Sequence, residues 1–180
     1  YCTLLKPSLS EDFNNQKEYN LFITEMNAIN NVFGIVQIRP VALSLLYLHN
    51  HTDFLSRKAF RNICKGLSEF HLMYNAIASR RTSSLETPLN SFAHLLHESK
   101  SKEDIQKARQ DLKTSLIALI PTKEEFVANF KELKYSKNNI STNMLSKYIM
   151  NKFESIYSDS DLLESESSIE HIMDEVFENE

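Results

Sequence analysis

Near its end the chain reads Ser168-Ile169-Glu170-His171-Ile172, which sets a carboxylate beside an imidazole. A carboxylate can hold a divalent metal while a neighbouring histidine accepts a proton from water. Metal-assisted phosphodiester hydrolysis requires both groups. Read as chemistry, the pair opens a nuclease site whose remaining parts would lie outside this sequence. Read as structure, it belongs to an acidic terminal helix, since Asp174, Glu175, Val176 and Phe177 follow it.

Other reactive side chains are spread along the sequence. His49 with His51 and His94 with His97 form two close pairs, and the spacing of the second suits ligands on one helical face. Neither pair comes with a nearby cysteine or a glutamate at catalytic spacing, so ordinary surface or capping histidines are the plainer reading. His71, next to Phe70, is placed as a packing or hydrogen-bonding residue rather than a base. Cys2 and Cys64 stand far apart, which suggests neither a disulfide framework nor a thiolate zinc site and makes a reducing cytoplasm the expected setting. Serine-hydrolase elbows, Walker lysine loops and dinucleotide-binding glycine motifs are missing from the sequence.

Composition restricts what could position these groups. Two glycines and four prolines in 180 residues argue against hairpins and sandwich folds, which depend on turn residues. A 42% hydrophobic content suits a globular chain, yet no apolar run approaches the ~18 residues of a membrane span. The net charge of −4 is unevenly spread. Asp159, Asp161, Glu164, Glu166, Glu170, Asp174, Glu175, Glu178 and Glu180 fall in a tail without Lys or Arg, leaving 20 basic against 15 acidic residues in the body. A mildly basic body is compatible with nucleic acid.

Helical periodicity dominates the body. Tyr19, Phe22, Met26 and Ile29 line one face of a helix over 11–29, and Asn30, Asn31 and Gly34 offer its end. Pro40 suits the first turn of a central helix through Leu48. Phe60, Ile63, Leu67, Phe70, Tyr74 and Ile77 predict one long helix, with Arg57, Lys58, Arg61 and Lys65 on or beside its solvated face. After the polar break at Arg80-Arg81-Thr82-Ser83-Ser84, Leu89, Phe92, Ala93, Leu95 and Leu96 resume helical spacing. Ile105, Ala108, Leu112, Leu116 and Leu119 form the next stripe, which Pro121 ends. Thr122 and Glu125 resemble a capping box ahead of a short helix expected to bury Phe126, Val127, Phe130 and Leu133. Ser141 or Thr142 would cap a last amphipathic helix carrying Met144, Leu145, Tyr148, Ile149, Phe153 and Ile156.

Four blocks in order resemble the middle of the GmrSD-type restriction endonucleases. The first is Leu67-Ser68-Glu69-Phe70-His71-Leu72-Met73-Tyr74-Asn75-Ala76-Ile77 with Arg80-Arg81, Ser83-Ser84 and Leu85-Glu86 behind it. The second runs from Pro121 through Glu124-Glu125-Phe126 to Phe130, the third from Leu145 to Ile149, and the fourth is Ile169-Glu170-His171-Ile172. Members of that family join a ParB-like nucleotide-hydrolysing domain to an HNH nuclease through a helical region and cut foreign DNA. The resemblance implies that Glu170 is a ligand of a divalent metal, magnesium in the complete nuclease, and that His171 is the catalytic base. It also implies a nucleotide bound by a domain outside this sequence. Asp174 stands where the family's box has proline.

The expectation is therefore an all-α bundle of about seven helices leading into the start of an HNH motif. Residues 1–157 would be a helical connector, 158–167 an acidic linker and 168–180 the truncated nuclease start, silent alone. DNA and the flanking NTPase and nuclease domains would be its partners, with no membrane, and Arg57, Arg61, Arg80 and Arg81 the candidate DNA contacts. Two rivals stay open: a helical module whose groove takes a partner protein, and a direct nucleic-acid binder using those arginines.

Overall fold

The computed structural model describes Glu25, residues 28–134 and residues 139–157, and every regular element among them is helical. Six are α-helices: α1 (Arg39–His51), α2 (Arg57–His71), α3 (Glu86–Glu98), α4 (Lys102–Ile117), α5 (Lys123–Lys131) and α6 (Ile140–Tyr157). The all-α class is as expected. The first expected helix, over 11–29, lies outside the described residues except for Glu25, Ala28 and Ile29, and residues 158–180 lie outside them entirely. The chain divides into two units at Leu133/Lys134.

In the first unit α3 packs against α1 on one side and α4 on the other. α1 buries Val41, Ala42, Leu45, Leu46 and Leu48, with Pro40 in its first turn, where a missing N–H costs nothing. α3 buries Leu89, Phe92, Ala93 and Leu96 but leaves Leu95 exposed, and α4 buries Ile105, Ala108, Leu112 and Leu116. These stripes, with Phe60, Ile63, Leu67, Phe70 and Tyr74, make one continuous core. Ile77 is buried too, and Leu119 packs half-buried against the core.

Helix starts follow local chemistry. The hydroxyls of Ser56, Ser101 and Thr122 accept from the amides of Ala59, Asp104 and Glu125, satisfying donors that the first turn leaves open. The Thr122–Glu125 box is only half made, because the Glu125 carboxylate turns to Arg80. α5 itself buries no residue: Phe126, Phe130 and Leu133 are half-buried and Val127 is exposed, which corrects the expected buried face.

The long helix predicted over Phe60–Ile77 changes form partway. It is α-helical to His71 and widens to a π-helical segment over Leu72–Ile77. Ser79 then adopts a left-handed conformation (φ +52°), and the Arg80 amide donates to the Tyr74 carbonyl. Steps of three and four suit both helix types over so short a run, so the apolar spacing could not distinguish them.

In the second unit α6 is capped by Asn139, whose side-chain oxygen accepts from the Thr142 amide, a little earlier than Ser141 or Thr142 would place it. Tyr148 is buried and Lys152 sits 5.5 Å from its ring centroid, while Phe153 and Ile156 face outward. Among the described residues no helix is long and apolar enough to cross a membrane.

Candidate functional site

Glu170 and His171, the expected metal ligand and base, lie outside the described residues, as does the acidic linker 158–167. Of the arginine candidates, Arg57 and Arg61 are exposed on α2 and Arg81 is exposed just before the 3-10 turn Thr82–Leu85. Arg80 is engaged within the fold. Its Nε and Nη2 donate to the Glu125 carboxylate at 2.6 to 3.1 Å, its Nη1 donates to the Leu119 carbonyl at 2.8 Å, and its guanidinium lies 5.7 Å from the Tyr74 ring centroid. A fork used this way is a structural clamp, with its bidentate donors already committed.

The clamp continues a polar network at the end of the π segment. Asn75 donates from Nδ2 to the Arg80 carbonyl at 2.9 Å, which turns its Oδ1 toward His71 Nδ1 at 2.7 Å. His71 Nδ1 therefore carries the proton, and Nε2 is left buried without a partner. Burial lowers the pKa of His71, partly opposed by the bond to Asn75. This histidine is enclosed and cannot meet a substrate, so its place is in packing. The Tyr74 and Ser84 hydroxyls, 2.5 Å apart, tie the same segment to the turn before α3.

A second polar contact lies deeper. Ser68 donates to the carboxylate of Glu25, and both residues are buried. Cys64 is buried close by, its thiol pKa raised by desolvation and then by the charge of Glu25.

Three of the four paired histidines lie against aromatic rings. His49 stacks on Phe60 with ring centroids 4.8 Å apart, while Tyr47 lies 4.9 Å from His51 and 6.2 Å from His97. Among the described residues no group of three or more His, Cys, Asp or Glu could hold a metal ion.

A feature that sequence reading missed is an open trough of about 480 Å³ between α2 and α4. Ile63, Leu67, Phe70, Leu112 and Leu116 line its walls, and Phe92 of α3 lies at its floor. Asn62, Glu69, Gln106, Arg109, Gln110 and Lys113 make its polar edges. Gly66, set inside a helical pattern where glycine is unfavourable, was the available signal.

Comparison with protein-family models, curated proteins and solved structures finds no match to this chain. The geometry and the sequence must carry the functional reading.

Proposed function

We propose that this chain is the helical connector of a nucleotide-dependent DNA endonuclease of the GmrSD type, linking a ParB-like nucleotide-hydrolysing domain to an HNH nuclease in the cytoplasm. One observation carries most of the support. Arg80 and Glu125, from the first and second resembling blocks, lie 45 positions apart and form a bidentate pair. Residues quoted for a sequence likeness thus work as one structural device, which is what a shared scaffold would require.

In this reading Glu170 contributes one hard oxygen ligand and His171 the base, a donor set that suits magnesium, with the remaining ligands supplied from outside the chain. The metal, when bound, stabilises charge developing on the leaving oxygen. His171 holds the proton taken from water, and the bundle transmits the state of the nucleotide domain. Exposed Arg57, Arg61 and Arg81 would contribute phosphate contacts, with Arg80 assigned to the clamp.

The test uses the intact gene product that contains this segment. With magnesium and nucleotide it should cleave DNA, and His171→Ala should abolish cleavage while nucleotide hydrolysis continues. An intact protein that neither cleaves DNA nor hydrolyses nucleotide, or cleavage indifferent to His171→Ala, overturns the reading.

A further inference from the structure

Among the described residues, the trough between α2 and α4 is a helix position left open in the bundle. α3 packs against α4 along its length, whereas α2 and α4 stand apart with Phe92 between them. From Asn62 to Met73 one wall runs about 16 Å at ~1.5 Å per residue, the length of about three helical turns. Ile117 and Ile120 continue the other wall and remain 55% and 40% exposed, so apolar surface extends to the trough's end.

Gly66 supplies a second, independent indication. A glycine inside a helix costs roughly 0.5–1 kcal/mol relative to alanine, so one placed there calls for a reason. Its backbone is not in the positive-φ region, and a Cβ built on it would meet nothing within 4 Å. Neither backbone geometry nor internal packing demands glycine. What its missing side chain provides is room on the trough wall, where the backbone of another helix can come close.

The edges indicate the chemistry of that helix. Arg109 and Lys113, one turn apart on α4, line the trough. Glu69 also lines it and pairs with Lys65 at 3.8 Å. The α4 flank is cationic above an apolar floor, while the α2 flank carries Glu69 with its charge offset by Lys65.

We propose that this trough docks an amphipathic helix of a partner protein, with apolar residues along one face and carboxylates on the flank that meets α4. Its apolar residues enter over Phe92, its backbone passes Gly66, and its carboxylates meet Arg109 and Lys113. The inference is independent of the restriction-enzyme reading.

The probe is a fluorescein-labelled three-turn peptide with Leu on one face and Glu along one flank of that face, compared with one in which Lys replaces each Glu. Anisotropy with the 180-residue chain should show binding of the Glu-flanked peptide at least about tenfold tighter, a gap that narrows with salt. Gly66→Phe, whose Cβ meets nothing within 4 Å, projects a ring toward the trough and should weaken binding at least about tenfold with an unchanged circular dichroism spectrum. Arg109→Glu with Lys113→Glu should reverse the peptide preference. Equal binding of both peptides, preference for the Lys-flanked one, or no effect of Gly66→Phe overturns the proposal. So does self-association of the chain that Gly66→Phe abolishes, which would assign the trough to a second copy.

Discussion

Arg80 holds Glu125 by two edges at once, with Nη2 2.6 Å from Oε2 and Nε 3.1 Å from Oε1, and its third nitrogen closes on the Leu119 carbonyl. Because α5 buries no residue, this pair is an important polar fastening between that helix and the segment after the π turn. Stacked Phe126 and Phe130, 5.8 Å apart and half-buried, supply apolar contact on the same helix.

Both side chains of the pair are about one-third exposed, so water screens part of the attraction. Arg80→Ala should therefore cost about 1–2 kcal/mol in urea unfolding, more than a typical surface pair because the fork also serves a carbonyl. Arg80→Lys keeps the charge, loses the fork and should recover only a minor part of that loss. Hydrogen exchange over Lys123–Lys131 should accelerate in both variants. If Arg80→Ala and Glu125→Gln prove additive in a double-mutant cycle, the two residues are not coupled and the fastening lies elsewhere.

His71 gives a pH dependence of definite sign. Its folded pKa lies below the ordinary 6.5 because burial penalises the imidazolium, so the unfolded chain binds a proton more readily than the folded one. The contribution of neutral His71 is fully present above about pH 6.5 and is lost as the pH falls below it, with a slope of at most ~1.4 kcal/mol per pH unit. Unfolding free energy should decline from pH 7.5 to pH 5, and His71→Gln should flatten that decline. An identical profile in the variant would mean that other groups produce it.

Much of this fold was legible because apolar spacing reports burial directly. Phe60, Ile63, Leu67, Phe70, Tyr74 and Ile77 were read as one stripe and all are buried, as are Ile105, Ala108, Leu112 and Leu116. Interactions set by distance in space were not legible. Glu125 looked like half of a capping box because its local partner is visible in sequence, whereas the competing partner Arg80 is 45 positions away. The trough escaped for the same reason, since it exists only where α2 and α4 fail to close over Phe92. Of the candidate contacts, Arg57 and Arg61 lie on the solvated face expected of them and Arg81 is exposed, while Arg80 was not separable from them by residue type.

Cys64 is expected to be silent toward thiol reagents in the folded protein. It is 2% exposed and its thiol pKa is pushed far up, first by desolvation and then by Glu25, so the reactive thiolate is scarce at neutral pH. In a Cys2→Ser background, the colour from Ellman's reagent should develop at the rate of unfolding and rise steeply through the urea transition. Rapid stoichiometric labelling under native conditions would show that α2 opens locally around Cys64.

Ser79 offers a stabilising change that tests the turn after the π segment. Its φ of +52° lies in the left-handed region, where a Cβ crowds the following carbonyl at a cost of roughly 1–2 kcal/mol, while glycine adopts it freely. The side chain is exposed, so removing it forfeits little packing. Glycine also widens the unfolded ensemble, which offsets part of the relief, leaving a net gain of about 0.5–1 kcal/mol for Ser79→Gly. Ser79→Val, β-branched at the same backbone angle, should lose stability and loosen the Arg80 clamp that begins at the next residue. A Val variant as stable as the parent would show that this turn relaxes to another conformation at negligible cost.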